Sequence, residues 1–191
     1  MHQLTGVLLA AGSGRRFGSP KLLHPLPDGE PLGIASARRL IAVVPRGVAV
    51  VRPGDTELAD ALRELGYRVV ENPLSEAGMG DSLALAVRVS SDAGGWLVAL
   101  GDMPWIATTT IRALAERMRQ GASMVAPTYG GRRGHPVGFA AQWGRQLADL
   151  SGDRGARRLL KEYSHALELL PTDDPGVLRD VDVPAELAPV D

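Results

Sequence analysis

Short runs of Val and Leu alternate with longer stretches of helical periodicity along the whole chain, and no other feature narrows the possible folds as far. "TGVLLA", "GVAVVR", "YRVVEN", "GGWLVALGD" and "ASMVAP" are bounded by Gly, Pro, Asn or Asp, as buried strands are. Between them, "LGIASARRLIAVV", "TELADALRELG", "GDSLALAVRVS" and "TTTIRALAERMRQG" place apolar residues three and four apart, the pattern of helices with one buried face. Asp55 or Thr56, and Thr108 to Thr110, offer side chains able to cap two of these helices. Strands taking turns with helices call for a mostly parallel central sheet covered on both faces, a three-layer α/β fold. With 191 residues and no repeat, low-complexity tract or linker, residues 1–191 are expected to form one domain.

After Pro127 the pattern loosens into "TYGGRRGHPVGFAAQW", glycines and paired arginines ahead of a short strand-like piece. "DRGARRLLKEY" then reads as a helix opened by Asp153, and "HALELL" as a strand. "VLRDVDVPAEL" reads as a strand ending in acids, followed by a helix with Pro184 at an early position.

Charge and cysteine usage exclude several function classes. Lys and Arg number 21 against 22 Asp and Glu, for a net charge of -1, so nothing in the balance suits a nucleic-acid coat or a membrane surface. The chain has no cysteine, which excludes disulfides, thiolate metal sites and a cysteine nucleophile. The apolar run from Val7 to Ala11 is too short for a signal core or a membrane span, and a cytoplasmic location is expected.

The most chemically suggestive stretch is "LLAAGSGRRFGSPKLL", Leu8 to Leu23. Glycines let backbone N–H groups approach an anion, but two familiar phosphate loops fail on spacing. Gly12, Gly14 and Gly18 are spaced G-x-G-x-x-x-G, not as in the dinucleotide fingerprint, and no Gly-Lys pair exists for a Walker A loop. What remains is a wide basic loop, with Arg15 and Arg16 as planar donors and Lys21 as a point charge at its far end. A solvated Gly-rich turn is the bland alternative.

Asp102 ends an inner strand, where ligands of open α/β sheets bind, so it is expected to face the same crevice as the first loop. A carboxylate opposite phosphates suits a bridging cation such as Mg2+; a turn acid or helix cap is the competing role. Asp180 and Asp182, placed on one face by strand alternation, form a second acidic site, although Asp182 could instead cap the helix begun by Pro184.

Taken with these acids, the chain resembles the nucleotidyltransferases that make activated sugars, lipids and cofactors, and most of all the molybdenum cofactor cytidylyltransferase (MocA-like) branch. "LAAGSGRRFGSPKLL" is similar to the opening motif of that family. "ENPLSEAGMGDSL", "LGDMP", "GHPVGF", "LSGDRGARRLL" and "DVDVPAEL" match further segments in the same order, across nearly the whole chain. The resemblance implies a Rossmann-like nucleotidyltransferase fold. It implies a Mg2+-dependent transfer of CMP from CTP to molybdopterin with release of pyrophosphate, and an apo-molybdoenzyme as a further partner. Arg16, Lys21 and Asp102 would be the catalytic residues, and Asp102 with Asp182 the metal ligands. Ala10, Ala11, Gly12, Ser13, Gly14 and Arg15 would line the nucleotide. Asn72, Gly78, Gly80 and Ser82 would close over base and ribose, and Arg133 and His135 would meet the acceptor. Ala11 stands where guanylyltransferases carry a second glycine, which favours CTP. Val183 and Ala185 depart from the Thr and acid that related chains often carry near the distal acid.

Rival classes remain open. Gly80-Asp81-Ser82-Leu83 spells the signature of GDSL hydrolases, but mid-chain and without the late D-x-x-H partner. His2, His24, His135 and His165 show no metal spacing. A guanylyltransferase, another NTP transferase, or a binding protein that carries molybdenum cofactor without chemistry would use much the same phosphate-gripping residues.

Overall fold

The computed structural model describes residues 3–12, 17, 20–152 and 155–187. Five strands form where the Val- and Leu-rich runs predict them: β1 (Leu4–Ala10), β2 (Gly47–Val51), β3 (Tyr67–Glu71), β4 (Gly95–Leu100) and β5 (Met124–Tyr129). Among the described residues three more follow, β6 (Arg132–Arg133), β7 (Val137–Ala140) and β8 (Leu167–Pro171). They make one sheet in the order β3-β2-β1-β4-β7-β5-β6, with β8 paired to β5. β3, β2, β1 and β4 are mutually parallel and β8 is parallel to β5, whereas β7 and β6 pair antiparallel with their neighbours.

Among the described residues six helices cover the sheet: α1 (Leu32–Ile41), α2 (Thr56–Glu64), α3 (Met79–Val89), α4 (Thr108–Arg119), α5 (Gly144–Ala148) and α6 (Arg157–Glu162). The alternation of side chains along β1 sorts them into two cores. Leu8 and Ala10 pack with Ile34 of α1, Leu58 of α2 and Ile111 of α4 on one face. Val7, Leu9 and Ala11 join Leu83 of α3, Leu147 of α5 and Leu159 of α6 on the other. Strands buried on both faces explain why the runs are continuously apolar instead of alternating.

Four local expectations are corrected. "VLRDVDVPAEL" forms no strand or α-helix but single 3-10 turns at Pro175–Leu178 and Pro184–Leu187 joined by irregular backbone. Its Asp-Val-Asp-Val alternation over residues 180–183 imitates a strand, yet among the described residues it joins no strand ladder. "HALELL" is a strand only from Leu167 onward. The helix expected from Asp153 begins at Arg157 instead, and Asp153 itself lies outside the described residues. The expected caps make no cap bond either: Asp55 grips Arg52 instead, and Ala107 holds the cap position of α4.

The chain leaves β1 toward β2 on one side and returns to β4 on the other, so the crevice between the carboxyl ends of β1 and β4 is the switch point of the sheet. Ala10, Ala11 and Gly12 end one wall, and Gly101 and Asp102 the other, joined where the Gly101 N–H donates to the Leu9 carbonyl at 2.9 Å.

Candidate active site

A single ammonium group organises the crevice. Pro20 and Pro25 confine the chain between them to a one-turn 3-10 helix, Lys21–Leu23, whose Leu22 and Leu23 pack against the core. That leaves Lys21 turned toward the end of β4. Its Nζ donates to Asp102 Oδ2 at 2.8 Å and lies 3.6 Å from Asp182 Oδ1. The Lys21 side chain is 11% exposed, Asp102 26% and Asp182 44%, so the cluster opens to solvent on the Asp182 side. Asp182 arrives there because the Val181 N–H donates to the Asp102 carbonyl at 3.0 Å. The Asp182 and Val183 N–H groups donate in turn to Glu186 Oε2, which reaches back from the final turn.

Asp180 and Asp182 meet different partners. Without a strand there is no shared face: Asp182 meets Lys21, while Asp180 adds its charge beside His135. Two carboxylates reaching one cationic centre give hard oxygen donors that fit Mg2+ or Mn2+, the remaining positions going to phosphate oxygens and water. Among the described residues no group of three or more His, Cys, Asp or Glu could hold a metal.

A cleft beside Lys21 is lined by Ala10, Gly12, Pro20, Arg52 and Asp55, among others. The Ala10 and Ala11 methyls are buried, and Gly12 is exposed. Ser13, Gly14, Arg15 and Arg16 lie outside the described residues. Ala11 belongs to the core face that α3 covers, so its methyl packs toward the same side as Ser82.

On that side Asn72 and Ser82 are each 3% exposed and bonded to one another, Asn72 Nδ2 donating to Ser82 Oγ at 2.9 Å. Asn72 Oδ1 also accepts the Leu74 N–H, which fixes the turn after β3. Ser82 thereby accepts one bond and keeps its own hydroxyl proton as a donor. Gly78 opens α3 at φ 138°, a conformation that side chains avoid. Gly80 sits against the loop after α5: a Cβ there would lie 2.7 Å from the Gly152 carbonyl oxygen. The Gly80 N–H donates to that oxygen, and Asp81 Oδ2 accepts from the Gly152 N–H at 2.7 Å. Asp81 is thus committed to local structure, and Ser82 is bonded to Asn72 and to no histidine among the described contacts, so the triad of a GDSL hydrolase is not assembled there.

The Arg-rich loop is a tight hairpin in which Arg132 and Arg133 pair with Tyr129 and Thr128. Arg133 is exposed but loses hydration locally, and with the Arg157 charge nearby its pKa is lowered. His135 is only partly exposed, and its Nδ1 is sealed without a hydrogen-bond partner. Desolvation, with the Arg133 charge and against that of Asp180, pushes its pKa down to about 4, so the ring is neutral at physiological pH. The Gly134 backbone is pressed on Val177, where a Cβ would come within 2.3 Å of the carbonyl oxygen. Sequence reasoning missed Arg52 in the cleft wall and Arg157 behind Arg133. For Arg52 there was a readable signal, an arginine at the carboxyl end of a parallel strand. Arg157 lies in "LSGDRGARRLL", a segment that matches the family, but nothing in that stretch separates it from the neighbouring Arg158.

The profile of the MobA-like NTP transferase domain matches residues 6–167. The chain belongs to the MobA-like NTP transferase family. Its relatives among characterised proteins include nicotine blue oxidoreductase of Paenarthrobacter nicotinovorans, 33% identical over 189 residues covering 94% of this chain and 92% of the relative. The purine catabolism protein PucB of Bacillus subtilis is 32% identical over 197 residues, covering 96% and 93%. The crystal structure of Rv0371c from Mycobacterium tuberculosis H37Rv superimposes with a TM-score of 0.81 at 30% identity, over 97% of this chain and 95% of that one. The same protein has also been solved in complex with manganese, with a TM-score of 0.76 at 30% identity over 96% and 95% of the two chains. This MobA-like protein is therefore an enzyme of the nucleotidyltransferase class, and its mostly parallel α/β sheet is that of its relatives. No helix among the described residues is long and apolar enough to cross a membrane.

Proposed function

We propose that the protein transfers CMP from CTP to the phosphate of molybdopterin, releasing pyrophosphate, with Mg2+ held by Asp102 and Asp182. The observation that carries this reading is the convergence of Lys21, Asp102 and Asp182 at the switch point of the sheet, beside Gly12. The acceptor phosphate oxygen attacks the α-phosphorus while the bond to the bridging oxygen breaks and pyrophosphate departs. An anionic phosphate needs no general base, so positioning and charge stabilisation supply the rate.

Lys21 has three N–H donors, and Asp102 takes one of them. The ammonium can turn its other donors to α-phosphate oxygens as negative charge grows toward the leaving group. Bound Mg2+ would neutralise phosphate charge and orient the triphosphate. Gly12, with Ser13, Gly14, Arg15 and Arg16, would wrap the phosphates. Ser82, oriented by Asn72, offers a hydroxyl donor to a base that presents acceptors, as cytosine does, and the buried Ala11 methyl narrows the same side against a purine. Arg133, with Arg157 behind it, and the neutral His135 would receive the anionic acceptor.

The reading is tested by incubating the protein with molybdopterin, Mg2+ and CTP, or GTP in parallel, and following pyrophosphate and the dinucleotide product by mass spectrometry. CMP transfer is expected. A GMP product would make the enzyme a guanylyltransferase. Tight nucleotide and molybdopterin binding with no pyrophosphate would make it a carrier. Because one relative is named an oxidoreductase, NADPH consumption with an aromatic electron acceptor is followed alongside; turnover there, without nucleotide transfer, would contradict the proposal.

A further inference from the structure

Irregular backbone has to find hydrogen-bond partners outside itself, and residues 174–182, which deliver Asp182, are irregular apart from one 3-10 turn. Their anchor is Asp174. α4 starts after Ala107, whose side chain cannot cap, and the first N–H groups of a helix have no partner within it. Asp174 Oδ2 accepts from the Ala107 N–H and from the Thr110 hydroxyl, each at 2.8 Å. Its Oδ1 accepts the Gly176 N–H at 3.0 Å, and its own N–H donates to Thr172 Oγ1 at 3.2 Å. A carboxylate is also the charge that the start of a helix favours.

From this anchor the segment runs back along the stretch that carries Asp102. The Val177 carbonyl accepts the His135 N–H at 2.9 Å, the Arg179 guanidinium lies 3.5 Å over the Trp105 ring, and the Val181 N–H reaches the Asp102 carbonyl. The strap is fastened at one end to the start of α4 and at the other to Asp102 itself, so its register sets where Asp182 falls.

We propose that Asp174 is a positioning residue for metal binding: it holds the strap in the register at which Asp182 meets Asp102 and Lys21. The inference rests on the metal and nucleotide reading of that cluster. Both Asp174 oxygens accept, so asparagine would turn an NH2 group toward an N–H donor and lose the register without changing size. Thr110 supplies a milder probe of the same junction, since valine keeps its shape and removes its bond to Asp174 together with the longer one to Thr172 Oγ1, at 3.4 Å.

The test is titration calorimetry of CTP binding, with GTP in parallel, across a Mg2+ series for the wild type, Asp174→Asn and Thr110→Val. Groups hydrogen-bonded to a metal ligand typically change the affinity by about 10–100-fold, and Asp174, which acts through the strap and bonds neither ligand, belongs at the low end of that range. Asp174→Asn is expected to raise the Mg2+ concentration for half-maximal nucleotide binding about tenfold, and Thr110→Val about threefold, with tight binding restored at high Mg2+. A merely structural role would lower the folded fraction and the heat released without moving that midpoint. An unchanged midpoint in variants of a Mg2+-dependent wild type overturns the role of Asp174 alone. A wild type with no Mg2+-dependent nucleotide binding overturns the functional reading and this inference with it. Should Asp174→Asn not fold, Thr110→Val decides.

Discussion

Lys21 is held between two acids that belong to segments 80 residues apart in the chain, Asp102 on the end of β4 and Asp182 on the C-terminal strap. Removing Asp102 takes away a metal ligand and leaves the partly buried ammonium without its short partner. Asp102→Ala is expected to lower turnover about 100-fold or more, measured as pyrophosphate release at saturating CTP and Mg2+, while the circular dichroism spectrum stays native. Full turnover in that variant would contradict the mechanism. His135 gives a second residue-scale expectation. Its pKa of about 4 in the folded protein lies below the ordinary 6.5. In that interval the unfolded chain holds a proton that the folded chain does not. Stability from the neutral ring is therefore complete above pH 6.5 and declines as the pH falls toward 4, with a slope of up to about 1.4 kcal/mol per pH unit. Denaturant unfolding across the interval between neutral pH and the folded pKa should show this decline, and His135→Gln should flatten it; equal slopes for the two proteins would contradict the assignment.

The elements that form the crevice are tied by backbone contacts too close for any side chain. A methyl at Gly80 would meet the Gly152 carbonyl oxygen at 2.7 Å, and one at Gly134 the Val177 carbonyl oxygen at 2.3 Å. Neither contact can be relieved by rotating a side chain, so Gly80→Ala and Gly134→Ala are each expected to cost about 1–3 kcal/mol, read as a lowered denaturation midpoint. At this scale the sequence was most legible where burial is symmetrical. β1, β2 and β4 need apolar residues on both faces, and α1 to α4 need one apolar stripe, so composition and period agree. The strap was illegible for the opposite reason: the bonds that place it go to Ala107, Thr110, His135 and Asp102, far away in the chain, and its Asp-Val-Asp-Val order imitates a strand. The cap of α4 was hidden likewise, since Asp174 lies 67 residues from Ala107. For the site, spacing brought Lys21 and Asp102 to one crevice, because both follow strands that flank the switch point. No local signal could separate Asp180 from Asp182, which tertiary contacts send to His135 and Lys21 respectively.

Across the whole molecule, the parallel core from β3 to β4 places every loop after a strand on one edge, and there Gly12, Lys21, Arg52, Asp102 and Asp182 gather. A chain with a net charge of only -1 has no large field with which to attract a polyanion. Its affinity for a triphosphate has to come from this local arrangement and from a divalent cation that lets acids and phosphates share a site. The most direct test is titration calorimetry of the wild-type protein with CTP, GTP, ATP and UTP, each with and without Mg2+. Tight binding of CTP that depends on Mg2+, with the purines about tenfold weaker or more, is the expected result. A preference for GTP would contradict the assignment of the base, and no Mg2+-dependent binding of any nucleotide would contradict the assignment of Lys21, Asp102 and Asp182 as a nucleotidyl-transfer site.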